Sequence, residues 1–278
     1  MEYISLPTKI YYTPGEKQNE TLLTIEPLYP GYGITIGTAL RRILLSSLSG
    51  GAVVAVKIKG IGHEFSTIPY VKEDVVDIIL NLKKLRFRIH TDQEVRLLLQ
   101  AKGEKVVTGA DIQNTSDVEV ANPDAHVCTL TNKNAQLEME LFIRKGRGYL
   151  PTEMRDKEKL ELGTIAIDAL FTPIRSVGLK VDNVRVGQMT NYNKITLTVE
   201  TDGSITAEDA VKEAGKILVD HFRLFTGVSE EEGVSSPESA YVSGDEIASL
   251  VGSTDREDMN EEGEDGEQKK KRGRPKKG

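Results

Sequence analysis

The chain has 278 residues, 36 Lys and Arg against 43 Asp and Glu, 38% hydrophobic residues and one cysteine, Cys128. That length supports one large domain or two smaller ones, a lone cysteine excludes an intrachain disulfide and fits a reducing cytosol, and no apolar run approaches the ~20 residues that span a bilayer. The net charge of −7 is concentrated at one end: from Val228 to Gly278 fourteen acidic residues outnumber eight basic ones, so the first 227 residues are nearly neutral and point to protein partners rather than nucleic acid.

The opening MEYISLPTKIYYTPGEK lacks the basic-then-apolar order of a secretion signal. Ordered structure is expected from about Thr21 to Phe225. LLTIEPLY reads as a strand and GYG as a turn. TIGTALRRILLSSL has helical spacing, with Ile36, Leu40, Ile43, Leu44 and Ser47 on one side. GAVVAVKIKGIGHEF returns to strand alternation, which would send His63 and Glu64 to opposite faces. EDVVDIILNLKKL reads as a helix whose acidic start and basic end complement its dipole. From Phe87 to Arg144 the pattern is β-rich, through RFRIH, VRLLLQ, HVCTLT and QLEMELFIR. IRSVGLKVDNVRVGQ and KITLTVET read as paired strands around a turn-prone NYN. The clearest helix follows: Thr206 is a candidate N-cap with Asp209 three residues on, and Ala210, Val211, Ala214, Leu218, Phe222 and Phe225 form an apolar stripe. Periodicity alone leaves that stripe open as core or as a dimer face. After Gly227 the acid-, Ser- and Gly-rich composition is too poor in large apolar residues to offset ordering entropy, and the chain ends in KKKRGRPKKG.

Few patterns carry chemistry. Gly31, Gly33 and Gly37 between a strand and a helix approximate a dinucleotide cradle. Their spacing is G-x-G-x-x-x-G, and the next strand carries Lys57 and Lys59 where a ribose-binding acid belongs, so a tight strand-to-helix turn is the better reading. His126 and Cys128 share a strand face in an H-x-C pair, two short of a metal site. Asp258 to Lys269 imitates a calcium loop but ends in Lys where a bidentate Glu is required. No Asp cluster suited to two-metal nucleotidyl transfer is present in the ordered part. RKGRGYLP, with Arg144, Lys145, Arg147 and Tyr149, reads as an exposed turn or protein-docking loop. On these patterns the chain has no active site and binds no cofactor. A nucleotide-binding enzyme resting on GYGITIG and a free-standing DNA-binding homodimer resting on the basic tail remain as alternatives.

The stretch LTIEPLYPGYGITIGTALRRILLSSLSGGAVVAVKIKGIGHEFSTIPYVKEDVVDIILNLKKLRFR, followed by VTGADI, RKGRGYLP, IDALFTPIRSVGLKVDNVRV and ITAEDAVKEAGKILVDHF, closely resembles the N-terminal domain of bacterial and plastid RNA polymerase alpha subunits. The resemblance covers roughly residues 20–227 and implies an α+β fold of two subdomains. One, from residues 1–49 and 170–227, would form a homodimer through two helices packed on a sheet; the other, 50–169, would be a β-rich insert. It further implies a transcription platform in the cytoplasm of a bacterium, or in a plastid stroma, recruiting the beta and beta-prime subunits, with omega and sigma in the holoenzyme. On the matching positions, Arg42 and Leu45, with His63 and Glu64, would dock the beta subunit. Arg144, Arg147 and Tyr149 would contact the large subunits. Leu40, Ile43, Leu44, Val211, Ala214, Leu218, Phe222 and Phe225 would form the dimer interface. Beyond Gly227 the resemblance stops: an acidic linker (228–268) and a basic tail (269–278) stand where the family carries a DNA-binding domain. Arg272, Gly273, Arg274 and Pro275 resemble an AT-hook core that enters narrow, A·T-rich minor grooves. A generic basic tail is the plainer reading of the same residues.

Overall fold

The computed structural model describes residues 4–155 and 161–226. Its fold is α+β. In chain order β1 (Lys9–Pro14) and β2 (Glu20–Leu28) lead into α1 (Tyr32–Ser46), and β3 (Ser49–Ile58) is followed by α2 (Val75–Leu82). Then come β4 (Phe87–Ile89), β5 (Val95–Lys102), β6 (Lys105–Thr108), β7 (Val118–Val120), β8 (His126–Leu130) and β9 (Gln136–Arg147). β10 (Tyr149–Leu150), β11 (Thr164–Ala166) and β12 (Ala169–Leu170) are short. The hairpin β13 (Ile174–Val186) and β14 (Met189–Thr201) precedes α3 (Ala207–Thr226).

The first and last parts of the chain share one core. A four-stranded antiparallel sheet has the order β1-β2-β14-β13. Strand periodicity turns Leu23 and Ile25 of β2, Ile195, Leu197 and Val199 of β14 and Val177 of β13 toward one face. There α1 covers them with Leu40 and Leu44, and α3 with Ala207, Ala210 and Ala214. Order therefore begins before Thr21: KIYYTP, rich in β-branched and aromatic residues, forms the edge strand β1.

Two details of this half differ from the sequence reading. The hairpin turns at Gly187, whose φ of 59° only glycine adopts cheaply, and the residues Asn191, Tyr192 and Asn193 lie inside β14. GYG is likewise not a free turn. Gly31, with φ 87°, is the N-cap of α1, and Tyr32 and Gly33 already belong to the helix. The α1 N-terminus has no side-chain cap of its own. Asn193 supplies one from the sheet, its Oδ1 accepting from the N–H groups of Gly31 at 2.9 Å and Gly33 at 3.2 Å. These are the donors that a phosphate would need, and they are occupied. Gly33 and Gly37 have a packing role: a Cβ at Gly33 would meet Val181 Cγ1 at 2.8 Å and Asn193 Cβ at 2.9 Å, and one at Gly37 would meet Leu179 Cδ1 at 2.6 Å.

The second core spans residues 53–167. A larger sheet runs β5-β9-β3-β4-β7, with β11 added on β3, and α2 packs Val75, Ile78 and Leu82 against it. Asp74 caps α2 by accepting from the N–H of Asp77 at 2.8 Å. β3 does not simply alternate. A bulge between Val53 and Ala55 lets it bury residues on both faces, Val53, Val56 and Ile58 in this core, and Ala52, Val54 and Ala55 in a small third cluster with Phe142, Ala169 and Phe171. β3 also ends at Ile58, so His63 and Glu64 lie in a loop rather than on a strand.

The glycines of α1 yield an ordered expectation. Gly33→Ala should destabilise by about 1–3 kcal/mol despite alanine's higher helix propensity, because β-branched Val181 and the Asn193 Cβ cannot yield. Gly37→Ala should cost less, since the flexible end of Leu179 can rotate away. Denaturant midpoints of the two variants check the order.

Candidate docking and pairing surfaces

Helix α1 divides its residues sharply. Leu40 and Leu44 are buried in the protomer's own core and Ile43 is half-buried, whereas Ile34, Thr38, Arg41, Arg42 and Leu45 face solvent. The exposed face therefore carries a cation beside aliphatic groups. Arg42 and Leu45 are neighbours one turn apart, with Leu45 37% exposed.

The stripe on α3 changes character along its length. Thr206 caps the helix, its Oγ1 accepting from the N–H of Asp209 at 3.1 Å while its hydroxyl donates to the Asp209 carboxylate at 2.6 Å. Ala210 and Ala214 are buried, and Val211 and Leu218 are half-buried. Beyond them Phe222 is 59% and Phe225 84% exposed, with Val219 and Leu224 also in solvent. At 1.5 Å per residue the 20-residue helix is ~30 Å long, and its packing on the core runs only as far as Leu218. Leu40, Leu44 and Ala214, expected at a dimer contact, present almost no surface to a second copy. The apolar surface is at Phe222, Leu224 and Phe225.

RKGRGYLP is not a loop. Arg144 to Arg147 continue β9, pairing with the start of β3 so that Arg147 stands opposite Ser49 and Lys145 opposite Gly51. Ser49 is the third residue beyond the last turn of α1, and its hydroxyl donates to Glu213 of α3 at 3.5 Å. Arg147 thus lies beside the point where α1 passes into β3. Tyr149 pairs with Leu170 across β10 and β12, and both side chains are exposed. His63 and Glu64 are elsewhere. They lie past the far end of β3, whose ten residues span about 30 Å at ~3.3 Å each. There His63 contacts the Ser66 hydroxyl at 3.2 Å, and Phe65 is exposed.

One residue that the sequence reading missed organises the second surface. Asp168 accepts from the Thr152 N–H at 3.0 Å and from Lys83 Nζ at 3.2 Å, and the Tyr149 phenol bonds to it. The Thr152 bond, opposed by burial and assisted by Lys83, holds the Asp168 carboxyl below its ordinary value. Burial, then the Asp168 charge, raises the Tyr149 phenol. A lone Asp in AIDALF gives no periodic signal, which is why pattern reading passes over it.

The H-x-C pair separates. A bulge opposite Val107 and Thr108 breaks the alternation of β8, leaving Cys128 buried and His126 exposed. Burial, with the charges of Glu73 and Asp111, pushes the Cys128 thiol up to about 12. His126 instead contacts Glu73 at 3.0 Å. Among the described residues no group of three His, Cys, Asp or Glu could hold a metal ion, and no helix is long and apolar enough to cross a membrane. A cavity of about 540 Å³ at the far end of β3 is lined by Lys57, Lys59, Glu138 and Glu140. Its lysines are engaged, Lys57 by Glu161 at 3.0 Å and Lys59 by Glu138 at 2.7 Å. Arg272, Gly273, Arg274 and Pro275 lie outside the described residues.

The family model of the RNA polymerase Rpb3/RpoA insert domain matches residues 56–172. Over 206 residues the chain is 50% identical to the DNA-directed RNA polymerase subunit alpha of Moorella thermoacetica, covering 74% of this chain and 66% of that protein. It is 52% identical over 206 residues to the subunit of the same name from Desulforamulus reducens, covering 74% and 65%. The matched part spans just under two thirds of each relative's length.

The Asp168 network predicts a pH dependence. A carboxyl held below its ordinary value of 3.8 adds stability above the unfolded-chain value and loses it as pH falls through the folded one. Asp168→Asn should therefore be less stable than the parent at neutral pH, with the difference closing below about pH 4. Urea unfolding from pH 7 to pH 3 measures the convergence.

Proposed function

The chain belongs to the family of bacterial-type DNA-directed RNA polymerase alpha subunits, and from that premise we propose that it is a non-catalytic assembly platform of a transcribing polymerase. Two copies pair, and the pair holds the beta subunit through one copy and beta-prime through the other, with omega and sigma joining the holoenzyme in the bacterial cytoplasm. Residues 1–49 and 170–227 form the pairing part and 50–169 the insert. The chain itself binds no cofactor.

The observation that carries this reading is the end of α3. Phe222, Leu224 and Phe225 expose large apolar side chains that find no core in their own protomer. Removing each from water contributes about 1.5–3 kcal/mol. A twofold contact, in which the same face meets itself, counts each residue twice. The docking reading rests on Arg42 and Leu45, which are exposed on α1 beside the β3–β9 junction that carries Arg147. An arginine next to an aliphatic group is a common interface anchor.

One experiment with two variants separates pairing from docking. Phe222→Asp with Phe225→Asp should give a monomer by sedimentation and lose capture of both large subunits. Arg42→Ala should remain a dimer and lose only beta. Loss of the dimer by Arg42→Ala, or beta capture at parental strength, would overturn the assignment of that face.

The basic tail belongs to the same proposal on sequence grounds. Arg272 and Arg274 flank Gly273 and precede Pro275 in a stretch with seven cations among the last ten residues. Such a stretch contacts A·T-rich DNA with a log–log salt slope no steeper than about −6. Deleting Lys269–Gly278 should weaken polymerase binding to A·T-rich upstream DNA at low salt; unchanged affinity in a filter-binding assay would remove the tail from the function.

A further inference from the structure

The chain joins its two cores covalently at two neighbouring places, where α1 passes into β3 and where β12 passes into β13. These passages are tight. A side chain at Gly50 would sit 2.0 Å from the Phe171 carbonyl oxygen, and one at Gly146 would strike the Phe171 ring. Two strands passing close together at one edge still leave a rotation about that edge. A third contact, formed by side chains distant in sequence, opposes it.

β4 belongs to the second core, with Phe87 buried in it. Strand periodicity turns Arg86 and Arg88, on either side of Phe87, the other way, toward the loop between β14 and α3. Arg86 Nε meets Asp202 Oδ2 at 3.2 Å, with the two side chains only 18% and 6% exposed. Arg86 Nη1 also donates to the carbonyls of Lys83 at 2.8 Å and Leu85 at 3.0 Å, so its guanidinium is held from its own side. Arg88 Nε donates to the Ser204 carbonyl at 3.0 Å and its Nη2 to the Gly203 carbonyl at 3.1 Å. The receiving loop is itself fixed. Asp202 Oδ1 accepts from the Ser204 N–H at 2.9 Å, and the Asp202 N–H donates to the Pro173 carbonyl at 2.9 Å. Two residues after Ser204, Thr206 caps α3. A cavity of about 300 Å³ remains beside the clamp, lined by Gly50, Gly51, His90, Lys145 and Glu213 among others, so apolar packing does not fill this seam.

We propose that Arg86 and Arg88 are positioning residues that set the angle between the insert and the pairing half by gripping the loop that launches α3. They touch neither the exposed end of α3 nor Arg42. They act through geometry: α3 carries the pairing surface, Arg147 and Tyr149 belong to the insert, and the clamp relates the two. A bidentate grip on two carbonyls, beside a desolvated ion pair with a fixed direction, holds an angle better than an apolar contact that can slide. The consequence for assembly rests on the platform reading above; the geometric claim does not.

The test uses the full chain, spin-labelled at Lys102→Cys in β5 and Lys180→Cys in β13 and diluted with unlabelled chain so that only pairs within one copy report. The parent should give one narrow distance. Arg86→Ala with Arg88→Ala should broaden the distribution about twofold or shift its centre while the chain still unfolds cooperatively. Capture of the large subunits should fall about tenfold with the dimer intact. Arg88→Ala alone, whose parent side chain is 46% exposed, is the variant to read if the double change prevents folding, and it should broaden the distance less but measurably. A charge exchange, Arg86→Asp with Asp202→Arg, should restore part of the narrowing. A distribution as narrow as the parent's in the double variant, or in Arg88→Ala where only that variant folds, overturns the proposal. If the parent chain captures no large subunit, the platform reading fails, while the distance measurement still decides the clamp.

Discussion

Helix α1 can lie this close to the four-stranded sheet because positions 33 and 37 carry no side chain. With a Cβ at 33 under 3 Å from Val181 and Asn193, the helix N-terminus would have to rise off the strands, while one at 37 would turn the flexible end of Leu179 aside. Close approach also puts the helix N-terminus within reach of Asn193, which satisfies two N–H groups that α1 cannot satisfy itself. That contact requires Asn193 to sit in β14 at the right register, and its amide N–H donates to Asn183 across the hairpin at 3.2 Å. The glycines, the cap and the hairpin register are therefore one constraint. Once α1 is seated, Leu40 and Leu44 enter the core and Arg42 and Leu45 are left outside. The direction in which the proposed docking face points follows from the packing side.

The same economy of side chains shapes α3. Ala207, Ala210 and Ala214 let its first turns sit low on the sheet beside α1, and Val211, Ile217 and Leu218 pack at the margin of the same core. Past Leu218 the large apolar side chains of Phe222, Leu224 and Phe225 are exposed. A helix built only for the protomer would end near Leu218. This one continues with Phe222, Leu224 and Phe225, and their exposure is what the proposed pairing rests on.

Much of this was legible in advance, because it rests on periodicity. The helical spacing through ALRRILLSS, the cap at Thr206 and the alternation in β5, β9 and β14 are local signals that survive into the structure. Several misreadings came from places where a distant partner overrides a local signal, others from a strand that ends early or bulges. NYN has turn composition, but the turn was taken by Gly187 and Asn193 was recruited as a cap. RKGRGY looks like a loop because of its glycines, yet β3 pairs with it and makes it strand. His126 and Cys128 share a face in an ideal strand and part at a bulge. Neither Asp168 nor Asp202 lies in a repeating pattern; each matters through partners between 16 and 116 positions away, such as Thr152, Lys83 and Arg86, and only the fold brings those together.

The chemistry of the seam between the two cores fits the proposed platform role. Apolar burial is non-directional, so a seam closed by leucines would be stable over a range of angles. An ion pair removed from water is a poor source of net stability, because desolvation offsets much of the attraction, but it is strongly favourable only near one geometry. Phe171 supplies apolar packing at the joining edge, where the chain itself passes between the halves, and Arg86, Arg88 and Asp202 stand apart from that edge, where direction is needed. Burial pulls the Arg86 guanidinium down and Asp202 opposes it, yet an arginine so far above neutrality keeps its charge throughout. A histidine at position 86 would make the angle depend on pH; an arginine makes it constant. Constancy is what the proposed platform would require for two large partners, docked on different surfaces, to meet each other in register.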